Sequence, residues 1–336
     1  MRKTYSALDI TKFILAYMVV TVHCLNFELK ENTIWFLVEH YILRMSVPLF
    51  FLMSGFFLGL KVKKCEEQKW EYIKGNIKNL MIHYLFWNVV YGAIGIIFGL
   101  RQGAGIGWVV FEFIRNSLTF NATLMWYIGS LVFSILVIGL IKSKNGFKQS
   151  LLVAILLYVV GILMGSYSGI FRGTGMESVL ATYYHFFVNS SNGLFVGYVF
   201  VGFGYYYARY SEEEPGRRNL FLSVLIGYIV LTIEMLLIRQ IPAPMEGNYD
   251  FLLGNLIVTP PIFLLVLQCK VKENISTVFL RKASSCIYFT HMAILSAVNF
   301  VFDIAFGYKY ILVVVLVTVC AYVVYKWNNK YVNMIT

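Results

Sequence analysis

The first apolar stretch of the sequence, LDITKFILAYMVVTVHC (residues 8–24), carries three residues able to do chemistry: Asp9, Lys12 and His23. An anion and a cation three residues apart can hold a charged ligand between them or neutralise each other. Histidine is the usual general base near neutral pH. A helix turns about 100° and rises about 1.5 Å per residue, so the steps from Lys12 to His23 make about three turns plus 20°. Their side chains then share one face, about 16 Å apart along the axis. Asp9 lies within about 60° of that face. One stripe thus carries an anion, a cation and a titratable base. Asp9 and Lys12 also fit a plainer reading, as residues at a membrane edge that extend their charges to water. His23 is flanked by Val22 and Cys24 and needs a polar partner or water.

Further ionisable groups sit in apolar surroundings, where each costs a few kcal/mol on insertion scales and so faces protein or a wet cavity. Arg44 opens YILRMSVPLFFLMSGFFLGL at a depth similar to that of His23 on a neighbouring antiparallel segment. There it is either an interface anchor or a cation able to stabilise a developing oxyanion. In the same stretch Pro48 can kink a helix, and Ser54-Gly55 lets another backbone come close. Glu234 lies mid-span and needs a partner. His291 lies in SSCIYFTHMAIL, about seven residues into its span. Trp126 and Tyr127 open LMWYIGSL, where they either anchor at the membrane interface or line a route for an acceptor. His83 and His185 fall at a helix edge or in a loop and are set aside.

The elements that must hold these residues are membrane helices. Of 336 residues, 59% are hydrophobic and only 13% charged, and the mean hydropathy is +0.71. Soluble domains carry about a quarter charged residues. Ten apolar segments are long enough to read as spans. They lie near residues 10–27, 41–60, 80–100, 124–141, 150–166, 192–208, 219–239, 251–269, 284–302 and 309–326. The first has no small-residue cleavage site and is expected to stay in the mature chain. With an even span number the two termini and the loops at 61–79, 142–149, 209–218 and 270–283 share a side. That side holds 21 of the 28 Lys and Arg residues, which makes it cytoplasmic. The expectation is an all-α polytopic membrane protein of about ten helices, one domain over 1–336 with no soluble domain, and both termini in the cytoplasm. Membrane lipids are its expected surroundings. The net charge of +11 is spread over short connectors, so no nucleic-acid partner is expected. The five cysteines show no C-x-x-C spacing, and no metal is expected. Two longer outer loops, 101–123 and 167–191, are either a partly ordered cap or flexible connectors. No P-loop is present to drive transport with ATP.

The stretches LDITKFILAYMVVTVH, RMSVPLFFLMSGFFL, LMWYIGSL and SSCIYFTHMAIL, in this order, resemble the membrane acyltransferase-3 family over nearly the whole chain. Members are ten-helix proteins that O-acylate bacterial surface carbohydrates. The most specific feature is a basic residue and a histidine separated by ten residues, here Lys12 and His23. The resemblance implies an acyl group, most often acetyl, taken from cytoplasmic acyl-CoA and passed to a sugar hydroxyl. It implies a carbohydrate or polyprenyl-linked glycan acceptor and a bacterial plasma membrane. His23 would act as catalytic base, with Lys12, beside Asp9, holding the donor. Lysine stands where arginine is common, so a bidentate phosphate contact becomes a point charge. Our own reading of the chemistry adds Arg44 as oxyanion stabiliser, and Trp126, Tyr127, His291 and Glu234 as substrate-side candidates. The family also includes the membrane part of a serine racemase, which implies a rival reading in which the stripe lines a path for a small solute. A third reading is a non-catalytic partner in polysaccharide export.

Overall fold

A computed structural model of the chain describes residues 5–29, 32–120, 125–245 and 249–327. The extreme termini, whose cytoplasmic placement the charge pattern predicts, lie outside the described residues. In chain order the helices are α1 (Ser6–Leu29), α2 (Thr33–Tyr41), α3 (Ser46–Lys64), α4 (Lys69–Arg101), α5 (Ile106–Leu118), α6 (Met125–Leu140) and α7 (Lys144–Met164). There follow α8 (Gly175–Phe187), α9 (Tyr198–Tyr210), α10 (Arg217–Ile238), α11 (Leu253–Leu267), α12 (Ile275–Val301) and α13 (Phe306–Trp327). No strand occurs among the described residues, as the apolar runs lead one to expect. Every predicted span overlaps a helix, though not always a single one. Among the described residues, seven helical segments are long and apolar enough to cross a membrane; α6 and α11 are apolar but shorter.

Contacts between helix ends sort the connectors as the charge pattern does. On the face where α1 begins, Arg209 pairs with Glu66, Lys69 donates to the Ile141 carbonyl at 2.6 Å, and Arg217 donates to the Gln268 carbonyl at 3.2 Å. On the opposite face Arg44 meets Asp250, Arg115 donates to the His185 carbonyl, and Met245 N–H donates to Ser168. We call these the inner and outer faces.

Two packing groups carry the site. The pair α3 and α9 forms the densest core, with Gly55 and Gly204 at the crossing. A Cβ on Gly55 would lie 1.9 Å from the Val201 carbonyl oxygen, and one on Gly204 would lie 2.0 Å from that of Leu52. The close approach read at Ser54-Gly55 is therefore real, and its partner is α9. The second group packs α12 between α1 and α13, burying Ala16, Val20, Ala283, Ile287, Leu295 and Val313. α12 starts firmly: Asn274 accepts from Thr277 N–H while Thr277 accepts from Asn274 N–H.

The second predicted span differs from a single kinked helix. Residues 41–60 run from the last residue of α2 through a 3-10 turn over Leu43–Met45 into α3. Pro48 sits in the first turn of α3, where its missing N–H has no partner to lose. Arg44 consequently projects from the break. The outer loops 101–123 and 167–191 also hold the helices α5 and α8. Both span only 13 residues, too short to cross a membrane, so a search for spans passes over them. In α5, Ile106, Val110, Ile114 and Leu118 make an exposed apolar row at four-residue spacing, a signal the sequence did contain.

Candidate active site

The stripe on α1 meets a matching stripe on α12. Both helices run from the inner to the outer face, and they touch at two polar levels. At the inner level Asp9, only 4% exposed, forms an ion pair with Arg281 at 2.6 Å; Arg281 also pairs with Glu273 at 2.9 Å. Lys12 lies between these charges and the α3 helix, its ammonium 4.6 Å above the Phe57 ring. The carboxylate thus holds Arg281, while Lys12 packs on an aromatic face.

About 16 Å further along α1, the His23 ring faces the His291 ring of α12. Their centroids are 5.4 Å apart and the planes tilt by 38°. His291 is fully buried, whereas His23 retains some exposure. Nδ1 of His291 lies 2.7 Å from the Tyr288 carbonyl oxygen. Tyr288 is 6.1 Å from His291, ring to ring, and 5.4 Å from Tyr127. Tyr127 stacks on Phe51 of α3 and its hydroxyl meets Ser54 Oγ at 3.3 Å. Trp126 packs edge-on against Phe51 and Phe251. Trp126 and Tyr127 both pack against residues of the helix bundle, and Tyr127 reaches the histidine pair only through Tyr288.

Toward the outer face, Arg44 projects from the turn between α2 and α3, which packs on α1. Its guanidinium is held by Glu39 at 2.5 Å and Asp250 at 2.6 Å, and its Nε is buried without a hydrogen-bond partner among the described residues. Asp250 is presented by a pinned segment. His40 contacts the Tyr249 carbonyl at 3.0 Å, Ser166 donates to that of Phe251, and Tyr158 to that of Leu252. Glu234 then accepts from Leu253 N–H at 2.7 Å, Gly254 N–H at 2.8 Å and the Tyr167 hydroxyl at 3.0 Å. A carboxylate at the start of α11 satisfies orphan donors and complements the helix dipole. The partner that Glu234 needs is thus the α11 N-terminus, one layer behind Asp250. Sequence reasoning missed Arg281, Glu39, Asp250 and Tyr288. The first three are charged residues near span ends, where solvated charges are common and no spacing marks them.

Beneath this column, at the inner face, a cavity of about 650 Å³ is lined by Tyr5, Ser6 and Leu8 of the α1 start, and by Arg217, Lys270 and Lys272. Tyr5 packs edge-on against Phe57, the ring under Lys12, so the cavity adjoins the foot of the stripe.

Comparison with known proteins gives one family. The acyltransferase-domain family of the acyltransferase-3 type matches residues 5–326. Curated relatives include a serine/alanine racemase of Enterococcus gallinarum, 25% identical over 233 residues that make up 66% of this chain and 32% of the relative. An amino-acid racemase of Enterococcus faecalis is 23% identical over 287 residues, 82% of this chain and 39% of the relative. The chain spans about a third of the length of the curated relatives it matches. No solved structure matches it. With a family match running from the first turn of α1 to the end of α13, the chain belongs to the membrane acyltransferase-3 family.

Proposed function

We propose that this protein transfers an acyl group, acetyl above all, from cytoplasmic acyl-CoA to a hydroxyl of a cell-surface carbohydrate or its polyprenyl-linked precursor in a bacterial plasma membrane. The observation that carries the reading is the column itself: Lys12 at its foot beside an inner cavity, and a partly exposed histidine about three turns deeper. The donor enters from the inner face. Its phosphates meet Arg217, Lys270 and Lys272 in the cavity and Lys12 at the top of it, and the thin pantetheine arm follows α1 toward His23. Asp9 keeps Arg281 in place and leaves Lys12 to the donor.

The acceptor reaches His23 from the outer side, past Arg44 and Asp250. His23 takes the hydroxyl proton as the oxygen attacks the thioester carbon. The tetrahedral intermediate collapses, the carbon–sulfur bond breaks, and His23 returns the proton to the departing sulfur. The products are an ester and free coenzyme A. With Glu39 and Asp250 holding the rest of the Arg44 guanidinium, its Nε–H is the donor left for the oxyanion that forms in between. Carboxylates at the outer mouth, such as Asp250, suit sugar hydroxyls as hydrogen-bond acceptors.

A second reading draws on the relatives, which are named as racemases of amino acids. There the column would pass a small zwitterion, with Arg44 taking its carboxylate and Asp250 its ammonium group. One experiment separates the two. Membranes containing the protein are given radiolabelled acetyl-CoA, and label entering the envelope carbohydrate is measured for wild type and His23→Ala. Acyl transfer predicts incorporation that falls at least about a hundredfold in the variant. Labelled serine crossing sealed vesicles without any acetyl incorporation would replace the enzyme with a transporter.

A further inference from the structure

His291 is buried, uncharged by any partner and unused by the mechanism above, yet it faces the base. Both carbonyls near its Nδ1, those of Tyr288 at 2.7 Å and Ile287 at 3.2 Å, can only accept. Nδ1 therefore carries the hydrogen, and Nε2 carries a lone pair. That Nε2 is buried and, among the described residues, has no hydrogen-bond partner. An acceptor left unmade in the interior costs about 1–3 kcal/mol, so a group held this way has a use beyond packing. The donor within reach is His23. A hydrogen bond of about 3 Å between two ring nitrogens puts the ring centroids a little over about 5 Å apart. The observed separation is 5.4 Å with a 38° tilt, so a small turn of the partly exposed His23 ring closes the bond.

We propose that His291 is the positioning residue of His23, its backbone-locked Nε2 accepting the His23 N–H. The inference rests on the acyl-transfer reading. The contact does two things. It fixes the His23 tautomer, so that the nitrogen away from His291 is the lone pair offered to the acceptor hydroxyl. It also aims a negative dipole end at the imidazolium formed when His23 takes that proton. A carboxylate in this place would do the same with a full charge. A neutral imidazole does it without placing a second ion in the bundle. His291 itself has 0% exposure, so it cannot meet the hydroxyl, and His23 remains the group that does.

The variants His291→Leu and His291→Gln test the idea in the full chain, reconstituted in lipid nanodiscs. Leucine keeps the volume and removes the acceptor; glutamine places a carboxamide oxygen near the Nε2 position. Acetyl transfer from radiolabelled acetyl-CoA into an envelope fraction should lose about a hundredfold in kcat with leucine at unchanged donor KM. Glutamine should return it to within about tenfold. A second measurement needs no turnover. Nitrogen NMR of isotope-labelled histidine should show His23 in one tautomer in wild type and in a mixture in the leucine variant. A leucine variant at full rate, a glutamine variant no better than leucine, or an unchanged His23 tautomer would overturn the proposal. Wild-type protein that transfers no acetyl would overturn the acyl-transfer reading instead, and the NMR comparison would still decide the pairing.

Discussion

Lys12 shows how one residue's role follows from what its neighbours already hold. Asp9 is the nearest anion along α1, three residues away, yet its ion pair is with Arg281 of α12. Among the described residues Lys12 makes no ion pair and rests on Phe57 instead. A half-buried ammonium whose neighbouring carboxylate is taken up by Arg281 is incompletely neutralised, and a donor phosphate arriving from the inner cavity would supply the missing charge. Lys12→Ala should therefore raise the KM for acetyl-CoA about tenfold or more and leave kcat within a few-fold; Lys12→Arg should keep the wild-type KM. An unchanged KM in the alanine variant would remove Lys12 from donor binding. The spacing of Lys12 and His23 was legible in the sequence, because helical periodicity alone sets it. Arg281 as the partner of Asp9, and His291 as the ring facing His23, were not legible as such. They lie more than 260 positions downstream, and no one-dimensional pattern reports which helices touch. The same limit hid the use of Arg44, whose two carboxylates come from a short outer helix and from the segment just before α11.

At the scale of elements, the α3–α9 crossing fixes the wall against which Tyr127 and Phe57 stand. Backbone contact this close leaves no room for a methyl group at Gly55 or Gly204. Either Gly55→Ala or Gly204→Ala should lower the melting temperature of the detergent-solubilised protein, at an overpacking cost of about 1–3 kcal/mol. Gly75→Ala is the control, because nothing lies within 4 Å of a Cβ there and alanine favours the α4 helix by about 0.5–1 kcal/mol. Equal melting temperatures for the three variants would show that the crossing is not under steric tension. The sequence announced one side of this contact at Ser54-Gly55. The other side, VGFGYYYARY, is rich in Gly and Tyr for a lipid-facing helix; the structure explains this, since α9 is buried along most of its length, with Gly204 against α3 and Gly202 against Leu151 of α7. The amphipathic helices α5 and α8 and the break at Arg44 stayed hidden for a different reason. Hydropathy over a span-length window averages across elements of 13 residues or fewer.

At the scale of the whole molecule, the proposed chemistry requires a direction: donor from the cytoplasm, acceptor from outside. Lys and Arg crowd the inner connectors, and the ion pairs and hydrogen bonds between those connectors place them on one face. The cysteines that are native to the chain can report the direction. Cys269 is exposed and lines the inner cavity, Cys65 ends α3 on the same face, and Cys24, Cys286 and Cys320 sit within helices. A membrane-impermeant maleimide added to intact protoplasts should label neither Cys65 nor Cys269. A Ser178→Cys variant on the exposed face of α8 should label readily as the outer control. Once the membrane is opened, Cys269 should react ahead of Cys65, which is less exposed. Acetyl-CoA in excess should then slow the reaction of Cys269 and leave that of Cys65 alone, because only Cys269 shares its cavity with Arg217, Lys270 and Lys272. Labelling of Cys269 in intact protoplasts would reverse the topology. Labelling that is cytoplasmic but indifferent to acetyl-CoA would keep the topology and move the donor phosphates elsewhere. The two outcomes differ in the molecule as well: the first changes which face the Lys12 end of the column opens to, the second only which of its neighbours greets the donor.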